Sequence, residues 1–317
     1  MRIAVFGAGA VGGYFGARLA QAGEDVVFIA RGEHLAAIRR GGLRVSSIQG
    51  DTTIFPARAV ERPGDAGPVD AVLLGVKAWQ VPDAARAMGP LLDVGTFVVP
   101  LQNGVEAPGQ LSGILGRERV LGGLCRIIAS ITEPGHIEHS GAEPYLAFGE
   151  LDGTRSERVQ HLREAFAGAP GVTVEIPPDI VAEMWIKFLF ISALSGVGAI
   201  TRATIGILRS KPETRALLIQ ALEEARAVAE GHQVRLPANV VDQLMEFIDR
   251  LPEHGTASMQ RDIAAGKPSE LSAQSGAVMR LGQEVGVPVP VHTLIYQSLL
   301  PLEQRAREKE TSRILRS

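Results

Sequence analysis

Residues 1–16, MRIAVFGAGAVGGYFG, decide the fold. Arg2 to Phe6 is a short apolar run rich in β-branched residues, the pattern of a strand buried on both faces. It runs directly into Gly7-Ala8-Gly9-Ala10-Val11-Gly12, a G-x-G-x-x-G. From residue 11 to residue 22 the period becomes helical, and Gly23 supplies a stop. In such a strand–turn–helix each glycine has a physical task. Gly7 makes the tight turn, Gly9 lets backbone N–H groups approach a pyrophosphate, and Gly12 lets the helix lie close to the strand. The helix start then offers unpaired donors and partial positive charge to that anion. Glycines alone also mark ordinary turns. Here a second strand follows at residues 25–29, the context that a dinucleotide fingerprint requires.

Working outward, residues 69–76 and 96–101 read as further buried strands, separated by a helical stretch over 81–92. Such alternation predicts a parallel sheet with helices on both faces, whose ligands bind beyond the carboxyl ends of the strands. Lys77 and Asn103 sit at those ends. At the end of the second strand an NAD site usually carries an acid for the ribose 2′-hydroxyl. This chain has Arg31 there, a guanidinium suited to a 2′-phosphate, so NADP(H) is the expected cofactor; Glu33 keeps NAD open. Residues 43–55 read as irregular or hairpin strands, and residues 120–149 as antiparallel strands added to the same sheet, with Thr132-Glu133-Pro134-Gly135 as the turn. His136 and His139 read as polar surface, since no carboxylate or cysteine completes a metal set. A helix over 156–167 and a last strand over 172–176 precede Pro177-Pro178, the expected boundary between domains 1–176 and 177–317.

The second half reads as all-α. Its centre is a helix over 180–200, apolar on nearly all sides, in which Lys187 is the one charge after Glu183. Its length and its glycine and serine content argue against a membrane span. A lysine in such a run snorkels, pairs with Glu183 at i,i+4, or faces a polar cleft as a catalytic ammonium. Helices over 211–231 and 239–250 follow, then a polar link at 255–262, then a helix opening at 267–271 with Ser269 as N-cap and Glu270 in its first turn. A last helix is expected over 292–307, with a frayed tail from 309 to 317.

With 317 residues, 45% hydrophobic and 21% charged, the chain is long enough for two cores. A net charge of -3 gives no reason to expect nucleic acid or an anionic membrane as partner. The single Cys125 excludes an intramolecular disulfide and, lying in an apolar run, reads as buried packing. With no signal peptide legible, the expected location is the cytoplasm. Oligomeric state is not readable, and a homodimer stays open.

These residues together resemble the ketopantoate reductase (2-dehydropantoate 2-reductase) family over essentially the whole chain. The marks are the N-terminal G-x-G-A-x-G, VKAWQ at 76–80, Gln102-Asn103-Gly104, Trp185-Ile186-Lys187, Ser258-Met259 followed by Asp262, and Glu270. The resemblance implies an N-terminal Rossmann-type parallel-sheet domain followed by a helical domain, with the active site between them. It also implies NADPH-dependent reduction of a 2-oxo acid on the pantothenate pathway. By the same resemblance Lys187 is the catalytic lysine and Glu270 the active-site glutamate. Asn103 lies near nicotinamide and substrate, Ser258 binds substrate, and Arg31 and Gln80 lie near the 2′-phosphate. A lysine ammonium suits this chemistry, because it stabilises and protonates the oxygen that a hydride addition leaves behind.

One departure bears on substrate. The family usually places asparagines four and eight residues after the lysine, where this chain has Ile191 and Ser195. Those positions lie near the face of Lys187 on a helix, so they are the expected specificity residues. A related reductase or an opine-type dehydrogenase acting on a more apolar 2-oxo acid stays open, as does a cofactor-sensing regulator without turnover.

Overall fold

The computed structural model describes residues 1–314 and divides the chain into two compact units. The first comprises Met1–Gln102 and Ala107–Glu183. The second comprises Asn103–Glu106 and the chain from Met184 onward.

The first unit is built on strands β1 (Arg2–Phe6), β2 (Asp25–Ile29), β5 (Arg58–Val60), β6 (Ala71–Leu74) and β7 (Phe97–Pro100). They form a wholly parallel sheet in the order β5-β2-β1-β6-β7. The chain leaves β1 toward β2 and β5 on one side, then crosses over to β6 and β7 on the other. The switch point therefore lies between β1 and β6, at the end of the glycine loop. Side chains alternate between two cores. Ile3, Val5, Phe28 and Leu73 face one; Ala4, Phe6, Ile29 and Leu74 face the other. Burial on both faces is why these strands read as continuous apolar runs. The second face is covered by helices α3 (Val81–Ala87) and α4 (Ala107–Leu115).

The first face is covered differently from expectation. Helix α1 (Ala10–Gln21) lies there, and beyond it lies a second sheet. That sheet holds β3 (Leu43–Ser47), β4 (Thr52–Ile54), β8 (Leu121–Glu133), β9 (His136–Glu150) and β10 (Thr173–Glu175). The hairpin expected over 43–55 is the antiparallel pair β3–β4, and β8–β9 is antiparallel. However, β8 and β9 do not extend the parallel sheet. An isolated bridge pairs Val98 of β7 with Val120, the residue before β8. The reason is local. Phe97 and Leu101 donate their N–H groups to β6-side carbonyls, Asp70 O and Leu74 O, so the even positions of β7 face outward. The outward position after Val98 is Pro100, which has no N–H to continue the ladder. β8 instead crosses Pro100 at such close range that a Cβ on Gly123 would lie 2.5 Å from its carbonyl oxygen.

Wedged between two sheets, α1 is buried on nearly every side, including Tyr14, Phe15 and Arg18 at 0% exposure. Arg18 donates to Gly50 O and to Gln21 Oε1 and stacks over the Tyr14 ring. A Cβ on Gly16 would meet Val5 in the parallel sheet, and one on Gly13 would meet Ile137 in the other. His139 is also inside, contrary to the surface expectation. β9 runs parallel to β3 with His139 opposite Ser47, whose hydroxyl lies 2.8 Å from His139 Nδ1. His136, opposite Arg44, lies with its Nε2 2.8 Å from the Ser46 hydroxyl. No group of three potential metal ligands occurs among the described residues. Cys125 is buried packing, as expected. Helix α5 (Glu157–Ala165), capped by Ser156, completes this core through Val159 and Leu162. Helix α2 (Gly32–Gly41) and strand β5 carry patterns too short or too polar to stand out in the sequence.

The second unit is helical. Its axis is α6 (Ile180–Thr201), of which residues from Met184 belong to this unit. Among the described residues it is the one helix long and apolar enough to cross a membrane, and 67% of its apolar window is buried within the protein. Helices α7 (Ile205–Ser210), α8 (Pro212–Gly231), α9 (Val240–Arg250), α10 (Ser258–Ala264), α11 (Ser275–Val285) and α12 (Pro290–Ile314) follow it. Trp185 stacks on His232, Phe190 meets Phe247 edge to face, and Gly196 admits Ile295 and the Ser275 hydroxyl.

Three expectations need correction here. The polar link at 255–262 is helical from Ser258 onward. No helix opens at 267–271: residues 271–274 form a turn, although the Ser269 hydroxyl does accept the Leu271 N–H at 3.3 Å. The Ser269 N–H and hydroxyl both donate to the buried carboxylate of Glu303, and α11 starts only at Ser275. The tail expected to fray from 309 instead continues α12 to Ile314; residues 315–317 lie outside the described part. Glu303 and Arg307 on α12 hold the 269 segment from the far side, which anchors that helix tertiarily.

α8 also fixes the start of α12. Glu224 accepts the N–H groups of Val291 and His292, and His292 Nε2 lies 3.0 Å from Ala221 O. The His292 ring is fully buried, and burial pushes its pKa down to about 4, against a smaller opposing effect of the Ala221 hydrogen bond. A histidine whose folded pKa is depressed contributes stability above about pH 6.5 that is lost as pH falls toward 4. Comparing His292→Gln with wild type by urea unfolding at pH 7 and pH 4 should show this. The wild type is expected to lose more stability over that interval than the variant, by on the order of 3 kcal/mol.

Candidate active site

In the first unit the site begins where β1 ends. Gly7 has φ of 95°, and a Cβ there would lie 2.8 Å from Val76 N and Cγ1, so neither its backbone nor its surroundings admit a side chain. A Cβ on Gly12 would lie 2.4 Å from Gly7 O, which brings the first turn of α1 onto the loop. Gly9 is the opposite case, since nothing lies within 4 Å of where its Cβ would be. The amides of Gly7 and Ala8 both donate to Ile29 O, tying the loop to β2. The first helical bond runs from Gly13 N–H to Gly9 O. The amides of Ala10, Val11 and Gly12 therefore stand at the helix start without an intrahelical acceptor. Gly9 as N-cap supplies no side chain to take them. An open approach over Gly9 beside a row of unspent amides fits a pyrophosphate.

Arg31 lies exposed just past the end of β2, where it is the N-cap residue of α2, and Glu33 is exposed in the first turn of that helix. Across the glycine loop, beyond the end of β6, Lys77 and Gln80 are also exposed. The Gln80 side chain accepts the Lys77 N–H at 3.1 Å, closing VKAWQ into a 3₁₀ turn. β2 and β6 flank β1, so their ends lie about 10 Å apart, one on each side of the loop. The structural roles of two residues escaped the sequence reading, Gly75 and Gln102, the latter named there only as a family mark. Gly75 carries no Cβ because one would meet Gly7 O at 2.8 Å and Gly12 Cα at 2.9 Å. Gln102, with 6% exposure, donates from Nε2 to both Leu74 O and Val76 O, joining the end of β7 to that of β6. A glycine or glutamine directly after an apolar strand, within a nucleotide-binding pattern, was the available signal.

In the second unit Asn103 and Glu270 meet, although 167 residues apart in sequence: Asn103 Nδ2 donates to Glu270 Oε2 at 2.9 Å. Glu270 has only 8% exposure. It lies in a turn rather than a helix, with its carbonyl accepting the N–H groups of Ala273 and Gln274. The preceding Ser269 is locked to Glu303, which receives three hydrogen bonds from it and an ion pair from Arg307. That lock fixes the backbone on which Glu270 stands. Alongside, Arg280 clamps Glu106 in a two-point ion pair, holding the 103–106 segment to α11.

On α6, Lys187 and Ile191 are half-buried, while Ser195 has no exposed surface and its hydroxyl finds no hydrogen-bond partner. The three are spaced by four residues, so they follow one another along one side of the helix. Ser258 is half-buried at the start of α10.

Comparison with known proteins agrees with this architecture. The model of the family described as ketopantoate reductase PanE/ApbA matches residues 3–153, and that of its C-terminal domain matches residues 179–303. The chain belongs to the ketopantoate reductase family. A 2-dehydropantoate 2-reductase of Mesorhizobium japonicum is 35% identical over 311 residues, spanning 92% of this chain and 94% of the relative. Among solved structures, a PanE/ApbA family ketopantoate reductase from Ralstonia eutropha JMP134 has a TM-score of 0.88 at 31% identity, covering 97% of this chain and all (100%) of that one. A 2-dehydropantoate 2-reductase from Geobacter metallireducens GS-15 has a TM-score of 0.87 at 30% identity, covering 96% and 100%. The family is one of oxidoreductases, and its parallel-sheet and helical parts correspond to the two sequence matches.

Proposed function

We propose that the protein is a cytoplasmic, NADPH-dependent reductase that converts a 2-oxo acid to a 2-hydroxy acid, of the 2-dehydropantoate 2-reductase type that serves pantothenate synthesis. The observation that carries the reading is the Asn103–Glu270 hydrogen bond, which joins two residues that the family resemblance places in the active site. The loop Gly7–Ala8–Gly9–Ala10–Val11–Gly12 suits the pyrophosphate, and Arg31, with Lys77 and Gln80 across the loop, suits the adenosine end and its 2′-phosphate. The cofactor, when bound, supplies the hydride.

The remaining steps belong to side chains of this chain. Ser258 and Asn103 hold the substrate. The Lys187 ammonium stabilises the carbonyl oxygen as negative charge develops on it, then donates the proton that completes the hydroxyl. Glu270 holds a carboxylate in the site, and the Asn103 amide fixes one of its oxygens. Substrate choice is assigned to Ile191, with Ser195, which has no exposed surface, shaping the helix packing behind it. An isoleucine offers neither donor nor acceptor to a substrate hydroxyl, and the Ser195 hydroxyl is enclosed within the helix packing. Both features favour a 2-oxo acid with a more apolar tail than ketopantoate. The fold itself accommodates such acids: D-mandelate dehydrogenase, 21% identical with a TM-score of 0.87, has been solved with NADH and anilino(oxo)acetate.

Three measurements test this. Lys187→Ala should lower kcat by about 10²–10⁴-fold while NADPH affinity, read by fluorescence titration, stays within a few-fold. A kcat near wild type would remove Lys187 from the chemistry. Arg31→Ala should cost about 1.5–3 kcal/mol in kcat/KM for NADPH and little for NADH; equal efficiency of the wild type with both cofactors would contradict the assignment. In a panel of 2-oxo acids followed by NADPH absorbance, an unhydroxylated branched acid should outperform ketopantoate, and Ile191→Asn should narrow or reverse that order. Leaving a hydroxyl unpaired costs roughly 1–3 kcal/mol, a ratio of about ten- to a hundredfold. Wild-type kcat/KM on ketopantoate above about 10⁴ M⁻¹s⁻¹ would place ketopantoate itself as the substrate.

A further inference from the structure

His34 lies in the first turn of α2, half-buried, three residues beyond Arg31. Both of its ring nitrogens are engaged, with partners on two different elements. Nδ1 accepts the N–H of Gly135, in the turn between β8 and β9, at 3.0 Å. Nε2 lies 2.9 Å from the carbonyl oxygen of Ala8, inside the glycine loop. An amide N–H can only donate, so Nδ1 carries no proton. Nε2 therefore carries it and donates to Ala8 O. The ring is neutral, in a single tautomer, between a donor and an acceptor that match it. Burial holds its pKa below the ordinary value, in keeping with the neutral form.

Ala8 C=O and Gly9 N–H belong to one planar trans peptide and point in opposite directions. Anchoring the carbonyl on His34 therefore turns the Gly9 N–H away from α2. Ile29 O takes the Gly7 and Ala8 amides, and the Gly9 amide is not among them. Its residue is also the one in the loop with open space around it. The far side of the imidazole is equally well held. Gly135 has φ of 79°, its carbonyl accepts Arg44 N–H, and a Cβ on it would press on Ala37 of α2 at 3.0 Å. The hairpin turn thus fixes the ring, and the ring fixes the peptide.

We propose that His34 is a positioning residue for dinucleotide binding: by holding the Ala8–Gly9 peptide it presents the Gly9 N–H to the cofactor pyrophosphate. This rests on the dinucleotide reading of the loop. Bound cofactor gains a pre-aimed donor and avoids the cost of reorienting a peptide on binding. His34 touches no reacting atom, so its contribution appears in affinity and not in the chemical step.

The test uses the whole protein and NADPH as probe, with Kd from fluorescence titration and kcat at saturating cofactor. Wild type is measured first: failure to bind NADPH or NADH overturns the dinucleotide reading and this inference with it. His34→Leu removes both hydrogen bonds, and its Kd should rise about three- to tenfold with kcat within about twofold. His34→Gln keeps one donor and one acceptor at the end of the side chain and should restore Kd to within about twofold of wild type. If the leucine variant does not fold, His34→Asn, too short to reach Ala8 while still able to accept from Gly135, should show the same weakened binding. Unchanged affinity in His34→Leu or His34→Asn, a loss confined to kcat, or a glutamine variant no better than leucine would each overturn the proposal while leaving the dinucleotide reading in place.

Discussion

The close approach of three backbone segments at the end of β1 is the constraint on which the first unit depends. Gly7, Gly12 and Gly75 leave no room for a Cβ on one another: Gly12 would strike Gly7 O, Gly75 would strike Gly7 O and Gly12 Cα, and Gly7 would strike Val76. That contact sets the angle at which α1 leaves the sheet and thereby leaves the first-turn amides of α1 beyond the loop. The same contact lies at the switch point of a sheet ordered β5-β2-β1-β6-β7, so topology and loop chemistry put the anion-binding groups in one place.

The second sheet extends this constraint. It converts α1 from a surface helix into a layer between two sheets, which explains a helix in which an arginine is wholly buried. Long helical charges are tolerated inside only when their donors are satisfied. Arg18 meets that demand in part through Gly50 O and Gln21 and in part by stacking on Tyr14. The β8–β9 turn then reaches α2, where His34 connects it to the glycine loop. The unit is thus held by apolar layers and by a short polar relay across its edge.

In the second unit the corresponding device is the turn at Ser269–Gln274. A buried carboxylate, Glu303, is acceptable because Ser269 and Arg307 together satisfy it. What this fixes is the backbone of Glu270, whose side chain is held in turn by Asn103. The Ser269 hydroxyl donates to Glu303 and at the same time accepts the Leu271 N–H, so a cap-like contact is kept although the chain continues as a turn.

The sequence by itself determined the parallel sheet, the glycine loop, the helical second half and the positions of Arg31, Lys77, Asn103, Lys187 and Glu270 along it. These follow from periodicity and from glycine spacing, which are local properties of the chain. The family marks were likewise local motifs in a fixed order. The remaining features needed the folded chain, which sets the outward side of each strand and brings distant partners together. That β8 and β9 form their own sheet follows from Pro100 lacking an N–H on the outer edge of β7, a matter of which side faces out. That His139 is buried follows from its register with Ser47, and the backbone before Glu270 is held by Glu303, 34 residues beyond Ser269. The meeting of Asn103 with Glu270, and of His34 with both Ala8 and Gly135, is of the same kind. Hydrogen bonds between distant residues leave no period in a sequence, because each needs only one donor and one acceptor and the fold alone brings them within 3 Å.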